Sequence, residues 1–530
     1  MRHLSGLACA IILPMSLAAC GGGGGGGGGS SAPPVPPPPP SVTLSATSQS
    51  ADVVEGQTET SLSFTATQSG SATTPIYPDV QYDAGFLTLD GSLTTSTSGQ
   101  FSAKFKTKSD LGGGEYTGKV TFRLCQDVAC ATVYPNTTKE FDYKVIVNLK
   151  PWGVNQRDSK HSAYVDIHIN PSKMTKVWSN SYSNLYGNII PGGGLLYAQR
   201  ITGVNINYGG VAALDVKTGN QIWSYEAGEG ILSGGLVFSD NTVALTISPN
   251  FSNNIHVFLN SKNGEVIKRV SASDRVVGKT NAYSGNIFFM YGSENPKVSA
   301  YRASDGEFLW KQDNVGRSAV LSTAIDSSGI NLYSDRSVKT YGTENGHLLS
   351  DIEDKSAESD GYSYEYSVVG TEGGRILVPA YTFDYLGNLK LRSFDTVKAS
   401  EVWTSSFGYR IEPAYAKGVV YAFRTYPPQL DAIDEKTGAI KWSLTVSEGP
   451  WIEQKQVMGN AVVANNVIFV SSMYKLYAID INTRQVIWSC DKPGRVIITP
   501  ERYLIIAESG FDYISNDLRW TGILTAFKLD

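Results

Sequence analysis

The chain has 530 residues, of which 41% are apolar and 18% charged, and its formal net charge is −5. This length exceeds one ordinary core and predicts more than one domain. The absence of a long basic run argues against nucleic-acid binding. Five cysteines and five histidines form no close group of ligands, which argues against a structural metal site. The 54 glycines and 29 tyrosines are typical of an all-β protein.

Residues 1–19 predict a signal peptide, with Arg2 ahead of an apolar run at 7–17 that is too short to span a bilayer. The run ends in Leu17-Ala18-Ala19-Cys20, which resembles the bacterial lipobox. The resemblance implies that Cys20 carries acyl chains such as palmitate and becomes the first residue of the mature protein. The alternative is an ordinary signal peptide in which Cys20 is incidental.

Gly21 follows Cys20, where the Gram-negative sorting pattern for inner-membrane retention has Asp. The resemblance therefore implies a lipid anchor in the outer membrane, with the protein facing either the periplasm or the cell surface. Residues 20–40 continue with nine glycines and a proline run, PPVPPPPP. Such sequences are flexible coil and extended polyproline, so we interpret them as a tether.

Residues 41–150 are rich in Ser and Thr and contain short alternating runs, which predict an immunoglobulin-like β-sandwich. Cys125 and Cys130 flank a polar tip and predict a hairpin disulfide, with two free thiols as the alternative. Residues 151–170 are interpreted as a linker in which Trp152 packs at the domain junction. The candidate strands are 42–46, 62–67, 80–82, 101–107, 116–124 and 141–148.

A repeated unit organises residues 171–530. Its clearest copy, VAALDVKTGNQIW at 211–223, predicts a strand, a tight Thr-Gly turn and a second strand that ends on Trp. LDAIDEKTGAIKW at 430–442 is nearly a second copy, and more degenerate copies bring the internal total to seven. Their second strands end at 223, 268, 310, 350, 403, 442 and 488. A period of 40–50 residues with four short strands per unit predicts a β-propeller.

The two ends of this region complete an eighth unit. Residues 523–530 match only the first half of the repeat, and residues 174–178 match only the second half. Pairing them closes a ring and removes an exposed sheet edge. The predicted fold is therefore all-β, with the sandwich followed by an eight-bladed propeller over 171–530.

The repeat assigns structural roles to its recurring residues. The glycines permit the positive φ of a tight hairpin, an Asp before the turn caps it, and the terminal tryptophans dock one blade on the next. The predicted docking tryptophans are Trp178, Trp223, Trp310, Trp403, Trp442 and Trp488. The predicted turn glycines are Gly219, Gly264, Gly306, Gly346 and Gly438.

This pattern, Ala-x-Asp-x-x-Thr-Gly-x-x-x-Trp, resembles the PQQ-like, or quinoprotein-type, tryptophan-docking repeat. Eight such blades on a lipidated exported chain resemble the family of the outer-membrane assembly lipoprotein BamB. The resemblance implies a non-enzymatic scaffold that binds another envelope protein, with no cofactor, no metal and no catalytic residue, and we expect a monomer. BamB lacks the sandwich and the long tether, and these additions favour a partner different from that of BamB.

The rival interpretation is a periplasmic quinoprotein oxidoreductase, or a small-ligand binder that uses the propeller channel. Quinoprotein alcohol dehydrogenases typically have an adjacent Cys-Cys pair, a calcium site and an Asp base. This chain has no adjacent cysteines, and Cys490 is its only cysteine beyond residue 170. No catalytic or cofactor-binding residue can therefore be assigned from that resemblance.

The longest interval in the repeat, between 350 and 403, contains an acidic and then tyrosine-rich stretch at 351–366. Tyrosines are enriched at protein interfaces, and acidic loops steer basic partners. The alternative is a solvated insertion. If the stretch binds a partner, we expect deletion of 353–361 to leave folding intact and to weaken partner capture, and unchanged capture would count against binding. The candidate partner-binding residues are Asp360, Tyr362, Tyr364, Tyr366, Tyr381 and Tyr385.

Overall fold

The computed structural model describes residues 37–529, apart from 73, 97–98, 184, 203–207, 230, 233–234, 250–253, 273–281, 286, 293–296, 316–321, 335, 356–367, 382–388, 410–411, 425–428, 446–459, 473 and 515–516. The predicted signal peptide, Cys20 and most of the tether lie outside this range. Within it, the predicted all-β fold is confirmed, and a short 3₁₀ helix spans Pro171–Lys173. None of the described helical residues forms a segment with the length and hydrophobicity that a membrane crossing requires.

The N-terminal part is two sheets packed face to face. One sheet has the strand order β1-β3-β7-β5, with β6 beside β7, and the other has the order β2-β9-β8-β4. The strands are β1 (Ser41–Leu44), β2 (Ser48–Val54), β3 (Ser63–Ser69), β4 (Tyr77–Gln81), β5 (Leu87–Leu89), β6 (Thr94–Thr95), β7 (Gln100–Thr107), β8 (Gly114–Cys125) and β9 (Lys139–Asn148).

Alternation along the strands builds the sandwich core. β7 buries every second side chain, Phe105 and Phe122 contact Phe64, and Phe101 contacts Phe122 in the core between the sheets. Inward apolar positions with outward polar ones are what a sandwich strand requires. The sequence pattern missed β2, which pairs in parallel with β9 through Ser48–Val54.

After the 3₁₀ helix, the chain forms units of four antiparallel strands, which we call blades. The first strand is β10 (Thr175–Ser183), which belongs to the last blade. Blades 1 to 4 are β11 (Leu185–Gly192), β12 (Leu195–Thr202), β13 (Tyr208–Asp215) and β14 (Gln221–Glu229); β15 (Ile231–Leu232) and β16 (Val237–Ser239) with β17 (Thr242–Ser248), β18 (Asn254–Asn260) and β19 (Val266–Ala272); β20 (Ala282–Ser284), β21 (Ile287–Gly292), β22 (Lys297–Arg302) and β23 (Phe308–Asp313); and β24 (Ser322–Asp326), β25 (Gly329–Ser334), β26 (Ser337–Tyr341) and β27 (Leu348–Glu353).

The remaining blades have the same strand order, with blades 5 and 6 hydrogen-bonded into one eight-stranded sheet. Blades 5 to 7 are β28 (Val369–Gly370), β29 (Arg375–Tyr381), β30 (Leu389–Asp395) and β31 (Ser400–Tyr409); β32 (Ala414–Ala416), β33 (Val419–Arg424), β34 (Gln429–Asp434) and β35 (Ile440–Leu444); and β36 (Val462–Val463), β37 (Val467–Ser471), β38 (Leu476–Asp480) and β39 (Val486–Cys490). The closing blade contains β40 (Arg495–Ile498), β41 (Tyr503–Ile514) and β42 (Asp517–Lys528), together with β10.

The predicted pairing of the two chain ends is confirmed. β10 runs antiparallel to β42, with Thr175 opposite Lys528 and Trp178 opposite Ala526. The first strands of successive blades lie next to one another, and β40 of the closing blade returns to β11 of blade 1. The blades therefore surround a common axis with the ring closed by the N-terminal strand, which is the β-propeller that the repeat predicts.

Candidate functional site at the propeller axis

Most of the predicted partner-binding residues lie outside the described part of the chain. Asp360, Tyr362, Tyr364 and Tyr366 fall within 356–367, and Tyr385 falls within 382–388. Tyr381 is the last residue of β29. These positions stay a sequence-based hypothesis.

The residues just before that stretch correct one expectation. Asp354 is fully buried, forms an ion pair with the buried Arg392, and accepts a 2.5 Å hydrogen bond from the hydroxyl of Tyr333. Deleting 353–361 would remove this carboxylate and leave Arg392 buried without its charge partner, which is strongly destabilising. The expectation that this deletion leaves folding intact is therefore wrong, and a deletion that tests the stretch has to begin after Lys355.

Four of the repeat tryptophans have a common geometry. Each indole donates its N–H to a backbone carbonyl in the third-to-fourth-strand turn of the next blade, and each ring covers the glycine of that turn. The bonds run from Trp178 to Val216, from Trp223 to Ser261, from Trp310 to Thr343 and from Trp403 to Glu435, at 2.8–3.1 Å.

Glycine is needed at these turns for two reasons. Gly264 has φ of +73°, and a Cβ there would lie 2.5 Å from Cε3 of Trp223, which is closer than real contacts allow. The Asp that precedes such a turn caps it: Asp434 Oδ1 accepts bonds from the backbone N–H groups of Lys436 and Thr437 and from the Thr437 hydroxyl. The Thr437 hydroxyl is the largest cause of a lowered pKa for the Asp434 carboxyl.

In blades 2 and 7, other contacts replace parts of the motif. Lys268 stands where a tryptophan is expected, and its Nζ pairs with Glu307 of blade 3 at 2.8 Å. Arg484 stands where a glycine is expected, keeps the positive φ at +59°, and lies over the ring of Trp442 at 5.9 Å. Trp488 meets Phe527 edge-on at 5.4 Å. These residues all serve contacts between neighbouring blades.

Residues 151–170, predicted to be a linker, are a packed element of the structure, which we call the axial segment. Trp152 is 2% exposed and shares one apolar cluster with residues of blade 1, blade 7 and the closing blade. Val154 packs with Phe258 and Phe288 of blades 2 and 3, and Ala163 packs with residues of blades 6 and 7.

Backbone hydrogen bonds tie the axial segment to the innermost strands of five blades. The N–H groups of Phe238, Ile325, Gly370, Tyr415 and Val463, from blades 2, 4, 5, 6 and 7, donate to carbonyl oxygens between residues 153 and 163. The donor–acceptor distances are 2.6–2.9 Å. The segment therefore fills the axis at this level and contacts the ring on nearly every side.

Buried amide side chains extend this contact. The Asn155 amide donates to Glu412 Oε1 at 2.7 Å, and Arg495 pairs with the other oxygen of Glu412. Gln156 is fully buried and accepts a 2.9 Å bond from the amide of Asn460. Because buried polar groups are costly without partners, these bonds fix the segment in register.

The sandwich docks on the same end of the propeller. The Arg157 guanidinium pairs with Glu55 of the sandwich at 2.5 Å, and both side chains are at most 10% exposed. The N–H of Gly113 donates to the carbonyl of Asp166, and Leu149 joins the apolar cluster of Trp152. The two domains are therefore joined through the axial segment.

The antiparallel strands give the propeller two unlike ends. The axial segment bonds Phe238 and Val463 next to the turns that join the first and second strands of their blades. We call this the sandwich end. The connections from second to third strands and from blade to blade leave from the opposite end. β27 and β29 end there, at Glu353 and Tyr381.

A quinone cofactor does not fit the residues at the sandwich end of the axis. The axial segment occupies that position with buried side chains, and the inner-strand N–H groups are bonded to its carbonyls. Burial raises the pKa of the Cys490 thiol to about 11, and this residue lies on the outer strand β39. Among the described residues, the one close group of metal-type ligands is Asp79 with Cys125 and Cys130, and these two cysteines form a disulfide.

Comparison with known proteins agrees with this architecture. Residues 207–338 and 363–513, just over half of the chain, match the family described as outer membrane protein assembly factor BamB. The chain belongs to this family. No curated protein matches the sequence. The BamB-family match covers most of the ring, and it ends short of the axial segment and the sandwich.

Solved structures of similar fold include both a BamB protein and enzymes. BamB from Moraxella catarrhalis is 15% identical and aligns over 67% of this chain and 97% of its own, with a TM-score of 0.47. A europium-containing methanol dehydrogenase is 12% identical over 72% and 98%, with a TM-score of 0.53. The quinohemoprotein alcohol dehydrogenase from Comamonas testosteroni is 12% identical over 71% and 80%, with a TM-score of 0.52. At these identities the likeness to the two dehydrogenases establishes the propeller fold alone.

The sequence did hold a signal for the axial segment. Val165, Ile167 and Ile169 alternate with polar residues, the pattern of a half-buried strand, and all three are at most 3% exposed. The backbone hydrogen bonds to five blades could not be predicted from the sequence, because every residue other than proline has a backbone N–H group.

Proposed function

We propose that this BamB-family protein is a non-enzymatic envelope lipoprotein whose propeller is a scaffold for binding another envelope protein. Family membership and the predicted signal peptide at 1–19, followed by Cys20, support the envelope location. The partner is expected to belong to the outer-membrane protein assembly system or to a related surface complex. The protein is anchored in the outer membrane through acyl chains on Cys20 and acts as a monomer.

The observation that carries this proposal is the filled axis. Propeller enzymes need an open pocket for cofactor and substrate, and ligand sites in proteins are concave and largely pre-formed. Here the sandwich end of the axis holds the chain's own residues, among them Trp152 and Gln156 at no more than 2% exposure. The opposite end and the rim remain as the surfaces on which we propose that the partner protein binds.

Site-specific photo-crosslinking in intact cells tests the scaffold proposal. A benzoyl-phenylalanine at Phe407, which is 37% exposed on β31 near the opposite end, is compared with one at Lys436 in an exposed turn at the sandwich end. We expect one envelope protein to be crosslinked from position 407 and not from 436. No crosslinked partner from either site would contradict the proposal.

The rival function, a PQQ-dependent oxidoreductase, draws on the propeller neighbours that are dehydrogenases. Incubation of the purified protein with PQQ and calcium separates the two. We expect no quinone absorbance to stay with the protein on gel filtration and no dye-linked oxidation of alcohols. Retained quinone together with alcohol oxidation would replace the scaffold proposal with the enzyme.

A further inference from the structure

The innermost strand of each blade has a free edge that faces the axis. Backbone N–H groups along such an edge need acceptors, which in an open channel are water molecules. In this protein, N–H groups from blades 2, 4, 5, 6 and 7 point at backbone carbonyls of the axial segment instead. Such inward donors can bind the carbonyl groups of a polypeptide that follows the inner surface of the ring.

Side chains of the axial segment add an apolar anchor and buried amide contacts to these backbone hydrogen bonds. Trp152 fills an apolar site with residues from three blades, and Asn155 and Gln156 reach buried polar partners on Glu412 and Asn460. Other side chains of the segment also bond to the blades: His161 Nδ1 contacts the carbonyl oxygen of Val368, and the Tyr164 hydroxyl and the Asp166 carboxylate bond to the Asn465 side chain. The propeller therefore holds both the main chain and selected side chains of the segment.

The backbone of the segment is bent to fit the site. Gln156, Arg157, His161 and Ala163 all have φ between +50° and +80°, a region that residues with a Cβ seldom adopt. Four such residues in eight positions indicate that contacts with the propeller impose the conformation. A free linker would relax out of it.

The sandwich holds the segment from outside. Glu55 accepts from the Arg157 guanidinium and from the backbone N–H of Lys150, so one buried carboxylate contacts the segment and the residue just before it. Arg157 also donates to the carbonyl of Tyr164 within the segment. Removal of one partner of a buried ion pair leaves the other charge uncompensated, which makes this pair sensitive to change.

We propose that the sandwich end of the axis is a binding site for a polypeptide in a bent, turn-rich conformation, that residues 151–170 occupy it in cis, and that the Glu55–Arg157 pair latches the segment from the sandwich. The site is distinct from the partner surface proposed at the opposite end. Its ligand class is a bent peptide with an aromatic anchor near one end and amide side chains beside it.

The test uses the full chain with specific protease sites inserted after Lys150 and after Ser172, both of which are exposed. Cleavage at both sites leaves the segment attached by non-covalent contacts alone. We expect it to stay with the propeller on gel filtration and to exchange with a fluorescent synthetic peptide of residues 151–172. Immediate release without rebinding would overturn the proposal. Unfolding of the propeller when the segment leaves would also overturn it, because the segment would then be a core element and not a ligand.

Variant peptides identify the anchor. Trp152→Ala is expected to weaken binding at least tenfold, whereas His168→Ala, at an exposed position, is expected to leave it unchanged. Equal affinities for the two variants would contradict recognition through Trp152.

The latch is tested in the uncut protein by amide hydrogen exchange at Phe238, Tyr415 and Val463. Glu55→Gln is compared with Glu59→Gln, which removes an exposed ion pair with Lys106 in the same sandwich. We expect exchange at least tenfold faster in E55Q and unchanged in E59Q. Equal exchange in both variants would remove the latch from the proposal.

Discussion

The rim and the axis of this propeller join the blades by different chemistry. At the rim, the same contact recurs: an indole ring covers the turn glycine of the next blade and donates to a carbonyl beside it. At the axis, one non-repeating segment contacts several blades at once, mainly through backbone bonds. The rim is therefore modular, and a damaged rim contact affects one pair of blades. A change at the axis affects the contacts of several blades at once.

The largest effect is expected at the axial anchor. Trp152→Ala should lower the free energy of unfolding by about 4 kcal/mol, because it removes a fully packed indole from a cluster that three blades share. Denaturant titration measures the change. His168→Ala is the matched control in the same segment and should stay within about 0.5 kcal/mol of the parent protein. A loss under about 1 kcal/mol for W152A would indicate that the segment packs loosely.

Replacing a tryptophan at the rim should lower the free energy of unfolding by less than Trp152→Ala does. Trp223→Ala removes the ring that covers Gly264 and the bond to Ser261, and we expect a loss of about 3 kcal/mol. Trp442→Ala is the comparison, because that ring is only partly buried and faces Arg484 where other turns have glycine. Its loss should be smaller. If both variants lose the same free energy of unfolding, the contact between the indole and the turn glycine adds no stability beyond ordinary packing.

The interface of blades 2 and 3 lacks a docking tryptophan and should respond to pH. His256 is buried, accepts or donates to the Thr246 hydroxyl, and lies edge-on to Tyr301, and burial lowers its pKa to about 4. The unfolded chain then binds more protons than the folded one between pH 6.5 and 4, so stability falls as pH falls through this window. From pH 7 to pH 5 the loss should be about 2 kcal/mol.

Thermal unfolding at several pH values measures this dependence. His256→Gln should flatten the slope over that range, whereas His347→Gln, at an exposed turn position, should leave it in place. An unchanged slope in H256Q would assign the acid sensitivity to other groups.

The smallest effect is expected at a single turn cap. Asp434→Ala removes the acceptor of three hydrogen bonds in the blade 6 turn and should cost about 1 kcal/mol. Lys436→Ala, in the same exposed turn, should be close to neutral. Differential scanning calorimetry resolves the two, and equal midpoints would show that the cap is not needed for the turn.

The contrast between rim and axis also explains what could be predicted from the sequence. The rim contact depends on residues that recur at a fixed spacing, so Gly219 and Trp223 marked the blade unit, and residues 174–178 marked its closure. The axial segment occurs once, and its bonds join residues up to 304 positions apart. No local pattern specifies such contacts, so the segment was interpreted as a linker.

The same limit applies to buried charges. Asp354 stands in an acidic stretch that suggested a solvated loop, yet it is buried against Arg392, which lies 38 positions away in the next blade. Its neighbours in sequence gave no sign of this partner. The packing of Trp152 at the domain junction, in contrast, could be expected from a large apolar residue between Pro and Gly.

The most direct test of the filled axis is amide hydrogen exchange across residues 153–169 in the intact protein at neutral pH. The structure predicts that the N–H groups of Ala163 and Val165, which bond to Gln156 and Val463, exchange as slowly as those of the inner strands. Exchange of these two amides at the rate of an unstructured peptide would contradict the account and leave the propeller with an open channel.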